Sequence, residues 1–280
     1  MRLLHAAAAT LLLATATGCQ YAEALLKAVD KPTASIRNVS LDKLDFNGMS
    51  LLFDVDVKNP YAVALPISNL DYKLSSAGQQ FLAGTFEGAT TIPAGGTETL
   101  KVPATVTFQS LLATVTSIRP GQVFPYEADL NLSADAPGVG PIALPLKHSG
   151  QLPVPTVPKV DVGKFEMKSM TLENMSGALK LTVENQNDFP LTLSNLAYGL
   201  KLGGVSVADS ALTSKTALRK GEPATFEIPI QFSPSKLGMA GIQMITGGDT
   251  KFDLSGQMLT ETPFGPLNYN FNKSGKQALK

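Results

Sequence analysis

The stretch FNGMSLLFDVDVKNPYAVALPISNLDYKL, Phe46 to Leu74, decides how this chain is read, because LENMSGALKLTVENQNDFPLTLSNLAYGL, Leu172 to Leu200, repeats it without a gap. The offset is 126 residues and ten of 29 positions are identical, including Met49/Met175, Val57/Val183, Asn59/Asn185, Ser68/Ser194, Asn69/Asn195, Tyr72/Tyr198 and Leu74/Leu200. Working outward, the same offset pairs Gly95 with Gly221, Thr99 with Thr225, Pro103 with Pro229, Leu111 with Leu237 and Tyr126 with Phe252. After a one-residue slip, Gly140-Pro141 matches Gly265-Pro266 and Ser149-Gly150 matches Ser274-Gly275. The chain is a tandem duplication. Each copy has the length of an independent domain, which predicts two domains rather than a solenoid.

Within each copy the dominant period is two. Phe53, Val55 and Val57 alternate with Asp54, Asp56 and Lys58, and Leu179, Leu181 and Val183 alternate with Lys180, Thr182 and Glu184. Such alternation describes strands with one dry face. Leu65 and Ile67 share one parity while Leu70, Tyr72 and Leu74 take the other, so Ser68-Asn69 must absorb one residue as a bulge; Ser194-Asn195 repeats the requirement. Further alternating runs cover Leu100–Val102, Val106–Phe108, Tyr126–Leu132, Phe226–Phe232 and Phe252–Leu254. Turn chemistry separates them, at Pro93-Ala94-Gly95-Gly96, Pro137-Gly138, Gly203-Gly204, Gly221 and Gly247-Gly248. The expected architecture is all-β, two tandem β-sandwiches. A short helix is expected in each, over Gln109–Ile118 and over Lys236–Ile245, the latter with Ser233 as N-cap and Pro234 at the first helical position.

Composition removes whole classes of function. Lys+Arg and Asp+Glu are 23 each, so the formal net charge is zero. A nucleic-acid binder needs a basic patch to displace counterions, so no nucleic-acid partner is expected. One Cys, two His and no Trp leave no material for a disulfide framework, a Cys/His zinc site or a Cys/His nucleophilic pair. No cofactor and no metal are expected.

The N-terminus has the layout of a secretory signal. Arg2 supplies the positive end, and Ala6–Ala16 is an apolar run of 11 residues, too short for a mature membrane-spanning helix. Ala16-Thr17-Gly18-Cys19 resembles a bacterial lipoprotein lipobox, with Ala16 where Leu is more usual. That resemblance implies cleavage after Gly18 and a lipid on Cys19. Two or more acyl chains then hold the protein at the membrane at ~0.8 kcal/mol per buried methylene. Gln20, not Asp, follows the cysteine, which in the lipoprotein family implies sorting to the outer membrane, facing the periplasm. The expected layout is a signal over 1–18, a lipidated anchor with a short helical linker over 19–32, sandwiches over 33–150 and 159–276, a Pro-rich linker over 151–158 (QLPVPTVP), and a tail over 277–280.

An alternating strand, Asn-Pro-x, an apolar pair and Ser-Asn-Leu-x-Tyr-x-Leu together resemble the water stress and hypersensitive response (WHy) domain of late embryogenesis abundant type 2 proteins. The resemblance covers both copies, Thr33 to Gly150 and Lys159 to Gly275. The family motif at the strand exit is Asn-Pro-Asn; the first copy has Asn59-Pro60-Tyr61 and the second Asn185-Gln186-Asn187. The resemblance implies a fibronectin-type-III-like sandwich and an association with desiccation, cold or osmotic stress without enzymatic activity. Physically the motif is a strand stop: the Asn side chain bonds its own following backbone, and Pro presets the turn while withholding a donor. Asn59, Pro60, Asn185 and Asn187 are accordingly expected to be structural.

The repeat also serves as a control on candidate chemistry. His148 adjoins Ser149, but Lys273 stands in its place in the second copy and adjacent strand residues face opposite ways. His148 is read as a solvent-facing strand end. Asp54 and Asp56 share a strand face, yet Lys180 and Thr182 replace them, so a solvated face is expected and no catalytic residue is assigned. Tyr72 and Tyr198 are expected as core aromatics with the hydroxyl at the rim. Two functions follow from these residues. One is a non-enzymatic, membrane-anchored stress-protection lipoprotein acting on client proteins or membrane. The other is an envelope adaptor or ligand-binding module that recognises a protein, lipid or glycan through loops or an edge strand.

Overall fold

In β2 (Gly48–Lys58) every second residue, Met49 through Val57, is buried and its neighbours are not. A strand with that pattern needs a second sheet to cover its dry face. A computed structural model of the chain supplies it; the model describes residues 30–278 except 89, 137–139, 214, 240, 243–245, 247 and 248. The signal, the lipobox with Cys19, and the short helix expected after it lie outside the described residues.

Among the described residues each repeat contributes eight strands, in the same order. In the first, β1 (Thr33–Leu44), β2 and β6 (Thr97–Thr107) form a sheet of order β1-β2-β6. The second sheet has the order β4-β3-β7-β8, built from β4 (Gln79–Phe86), β3 (Leu65–Ser76), β7 (Val123–Ala136) and β8 (Gly140–Pro153), with β5 (Thr90–Ile92) paired to the start of β3. In the second repeat the sheets are β14-β10-β9 and β12-β11-β15-β16. Their strands are β9 (Lys159–Met170), β10 (Met175–Glu184), β11 (Leu191–Leu202), β12 (Val205–Leu212), β14 (Ala224–Phe232), β15 (Asp249–Thr262) and β16 (Gly265–Ala278), and β13 (Thr216–Leu218) pairs with β11. Neighbouring strands pair antiparallel throughout β14-β10-β9, β12-β11-β15-β16 and β4-β3-β7. The architecture is all-β with two sandwich-like domains.

The parity change read from the sequence is a bulge in both copies. Ile67 pairs with Ala134 and Asn69 with Ser133, so Ser68 is the extra residue. Leu193 pairs with Thr260 and Asn195 with Leu259, which makes Ser194 the extra residue of β11. Without this insertion Leu70 and Leu74, or Leu196 and Leu200, would leave the core; all four are fully buried.

The β3–β4 hairpin turns on Ala77-Gly78 (φ 49° and 76°) and the β11–β12 hairpin on Gly203-Gly204 (φ 57° and 88°). Two successive positive φ values make the tight turn whose twist suits a hairpin. Ala77 is the non-glycine residue with positive φ among the described residues. At the other end, Gly150 lies under the Tyr126 ring and Gly275 under that of Phe252; a Cβ on either glycine would sit 2.8 Å from the ring carbon Cε1. The duplicated aromatic and the duplicated glycine are therefore one packing unit.

The first helix is shorter than expected. Phe108, expected to end a strand, instead opens α1 (Phe108–Thr114), capped by the Thr107 hydroxyl accepting from the Ser110 amide. Phe108 and Leu111 are buried and the chain leaves the helix at Val115. In the second repeat Pro234–Leu237 is a 3-10 turn, with Pro at its start as expected, and the described residues Met239, Gly241 and Ile242 within the expected span are α-helical, Ile242 N donating to the Gly238 carbonyl. Ser233 makes no side-chain capping bond; the amides it would cap are taken by backbone carbonyls, that of Ser235 by Leu172 and that of Lys236 by Ser233 itself.

By contacts the chain divides into two compact units. One holds the described residues up to Ser40, Leu51–Ala104 and Tyr126–Gly150. Its core includes Phe53, Val55, Val57, Leu65, Leu70, Leu74, Val102, Leu130 and Leu132. The other holds Leu41–Ser50, Thr105–Pro125 and Gln151–Lys280. Its core runs from Val160 on β9 through Leu179, Leu181 and Val183 to Leu196, Leu200, Leu254 and Phe271. The proline-rich segment falls in this second unit. β8 continues to Pro153, Leu152–Pro155 are buried, and Val154 exchanges backbone bonds with Gly121 and Gln122.

Candidate functional site

Buried polar side chains are costly unless they are bonded, and the described chain buries three asparagines almost completely: Asn59, Asn185 and Asn187. Asn59 closes β2. Its Nδ2 donates to the carbonyls of Val63 (2.8 Å), Ile92 (3.1 Å) and Pro93 (3.0 Å), and its Oδ1 accepts from the Tyr61 amide at 3.0 Å. Asn185 does the same at the end of β10. Its Nδ2 donates to the carbonyls of Phe189 (2.8 Å) and Leu218 (3.1 Å), and its Oδ1 accepts from the Asn187 amide at 2.9 Å. Each side chain thus ties the loop after the strand to the short strand β5 or β13 across the sandwich.

The third position has diverged. Asn187 replaces Tyr61, and its side chain grips the segment that precedes β9: Nδ2 donates to the Thr156 carbonyl (3.0 Å) and Oδ1 accepts from the Thr156 amide (2.8 Å). The same Nδ2 donates to Asn185 Oδ1 at 3.0 Å. Pro60 is half-buried and presets the turn in the first copy, where Gln186 stands in the second.

The remaining candidates are dispersed. His148 differs from expectation. β8 runs five residues past it to Pro153, so it is mid-strand, and it shares inner parity with Leu146 and Leu152. The ring is half-buried, with centroids 6.4 Å from Phe53 and 6.0 Å from Tyr126. Ser149 faces outward, so the two do not meet. Burial pushes the Tyr126 phenol up to about 12. Tyr198 is buried, whereas Tyr72 is half-buried with its hydroxyl over Gly84.

Asp54 and Asp56 are each committed to neighbours. Lys101 Nζ donates to Asp54 at 3.1 Å, and Thr99 Oγ1 donates to Asp56 at 2.6 Å with Arg37 Nε 3.7 Å away. The hydrogen bond from Lys101 is the main reason the Asp54 carboxyl titrates below its usual value, against an opposing contribution from burial. Among the described residues no group of three or more His, Cys, Asp or Glu side chains is placed to hold a metal ion.

Concave surface is present elsewhere, on the outer face of the second sheet of each repeat. One trough of about 680 Å³ lies over β4-β3-β7-β8 and another of about 660 Å³ over β12-β11-β15-β16. Sequence reasoning missed them, because the outward positions of a strand read only as polar; pairing register brings them together.

A duplicated all-β sandwich whose strand exits are tied by buried asparagines defines the structural class. The chain belongs to the late embryogenesis abundant family, type 2: the model described as late embryogenesis abundant protein matches residues 54–150 and 180–275. The chain is 32% identical over 127 residues to the desiccation protectant protein Lea14 homolog of Glycine max, covering 45% of this chain and 84% of that protein. It is 32% identical over 129 residues to the late embryogenesis abundant protein Lea14-A of Gossypium hirsutum, covering 46% and 85%. Each relative therefore matches about the length of one repeat. A solution structure of an Arabidopsis thaliana protein is 26% identical and superposes with a TM-score of 0.38 over 46% of this chain and 85% of that one.

Proposed function

We propose that this protein is a non-enzymatic, lipid-anchored stress protector. In this reading it is held at the bacterial cell envelope through Cys19, on the outer membrane facing the periplasm, and limits damage to client proteins or membrane in desiccation, cold or osmotic stress. The observation that carries the protective part is that both repeats match the late embryogenesis abundant family and that relatives carry the names desiccation protectant and desiccation-related protein. The anchor rests on Ala16-Thr17-Gly18-Cys19 following an apolar run. Asn59, Asn185 and Asn187 then act as loop clamps, their side-chain polar atoms engaged within the protein itself, and Pro60 acts as a turn former.

Two experiments test the halves separately. Mass spectrometry of the mature N-terminus is expected to find an acylated Cys19; an unmodified Cys19 ends the envelope assignment. A deletion strain is expected to survive drying, freezing and osmotic shock less well than its parent, and equal survival in all three ends the protective one. The competing adaptor reading has in its favour that β12 and β14 each end a sheet, with one side unpaired in the strand order. A stoichiometric partner retained through detergent solubilisation decides for it.

A further inference from the structure

We propose that the outer face of β12-β11-β15-β16 is a binding trough for a neutral, hydroxyl-rich ligand, that is, a carbohydrate. Register sets its rows. Asp209, Gly199, Ser255 and Asn272 lie opposite one another across the four strands, and Ala197, Gln257 and Asn270 form the adjacent row. The first repeat has the same two rows with different chemistry. Lys73 and Asp71 stand where Gly199 and Ala197 do, and Asp129 and Lys147 where Ser255 and Asn272 do. Those charges occupy the first trough: Lys147 pairs with Asp129, and Thr85 donates to Asp71 at 2.7 Å.

In the second repeat all four charges are gone, and with them the long side chains over the middle of the sheet. Gly199 is the telling position. Its φ is not positive, and a Cβ there would meet only Ser255 Oγ at 3.8 Å. Neither backbone nor packing requires glycine, so its effect is to leave the floor open. The banks are amides. Gln257 Nε2 donates to Asn270 Oδ1 at 3.2 Å, which leaves the pair one carbonyl lone-pair set and one amino group to offer, and Asn272 adds another of each.

A surface that offers donors and acceptors side by side matches adjacent hydroxyls. No Lys or Arg lines the trough, so a phosphate or other anion would meet only Asp209. An apolar ligand would leave the amides without partners, at the cost of desolvation. The ligand class that remains is a neutral sugar, either free in solution or part of a glycan chain. This inference is independent of the stress-protection reading.

The test is a titration of the full chain followed by backbone NMR, with sucrose as the free sugar, maltohexaose as the glycan chain and dextran sulfate as the anionic control. The expected result is saturable shifts at the amides of Gly199, Ser255, Gln257 and Asn272. Saturation by maltohexaose at lower concentration than sucrose points to a chain, and the reverse to a free sugar. Gly199→Lys restores the residue of the first repeat and has room to fold; it is expected to weaken binding by about tenfold or more, and Gln257→Ala by ~3- to 10-fold. The proposal is overturned if neither neutral sugar gives saturable shifts there, if both variants bind like the parent, or if dextran sulfate binds the same residues as tightly.

Discussion

Asn59 and Asn185 make the same bonds in the two sandwiches: each donates through Nδ2 to the carbonyl four residues on and to the carbonyl 33 residues on. Each also accepts from the amide two residues on. The asparagine is thus a clamp between a strand exit and a distant short strand. Replacing it by Ala strands several buried carbonyls at once. Asn59→Ala and Asn185→Ala are each expected to cost about 3 kcal/mol, read from urea unfolding; a loss below about 1 kcal/mol would show the bonds to be unimportant.

The hairpin at Ala77 is the next target. A side chain at φ 49° is disfavoured, and the second repeat has Gly203 at the equivalent turn. Ala77→Gly is expected to stabilise the first sandwich by up to about 1 kcal/mol, the relief of the left-handed strain exceeding the added freedom of the unfolded glycine. Gly203→Ala is expected to move the second sandwich the other way. Opposite signs in thermal melts check both.

Asp54 predicts an acid-side dependence. Its pKa is lowered from 3.8, first by the hydrogen bond from Lys101. A depressed acid contributes its stability in full above the unfolded value and loses it as pH falls through the lower folded value. Stability measured from pH 5 downward is expected to fall more steeply in the parent than in Lys101→Met. Parallel curves would remove the pair from the account.

On the alkaline side, Tyr126 is raised from 10.0 to about 12 by burial. Here the folded state holds the proton longer, so stability is intact below pH 10 and declines as pH rises through the folded value. Tyrosinate absorbance is expected to show a late-ionising step, and Tyr126→Phe is expected to abolish it together with the decline between about pH 10 and 12.

Gly275 gives a steric test. With the Phe252 ring 2.8 Å from where its Cβ would be, Gly275→Val must displace the ring and is expected to cost roughly 1–3 kcal/mol. Phe252→Leu in the same chain is expected to recover part of that loss, a coupling visible in a double-mutant cycle.

Much of this was legible in the residues. The alternation around Phe53 and Leu181 locates β2 and β10, the switch of parity at Ser68 and Ser194 locates both bulges, and the 126-residue repeat identifies the asparagines as equivalent. What escaped reading has physical causes. β1 and β9 are edge strands whose burial is partial, so their alternation is blurred. Ala77 hides a hairpin turn because alanine carries no turn signature. His148 looked like a strand end because nothing local says that β8 continues to Pro153. The troughs depend on which outward residues face each other across strands, a relation that exists only once register is set.

The ten identities between Phe46–Leu74 and Leu172–Leu200 also bear on how the chain reaches its fold. β2 and β10, or β3 and β11, are near-equivalent pieces on one polypeptide, so a collapsing chain can seat either in the other's sandwich. Non-local pairing of this kind is a known route to trapped species in tandem repeats. The divergence at Tyr61 and Asn187 opposes it. A β10 placed in the first sandwich would bring the Asn187 that follows it without Thr156, leaving the Asn187 Oδ1 without the amide it accepts from and its Nδ2 with only Asn185. Small differences between otherwise matching halves therefore act as an address label for each strand during folding.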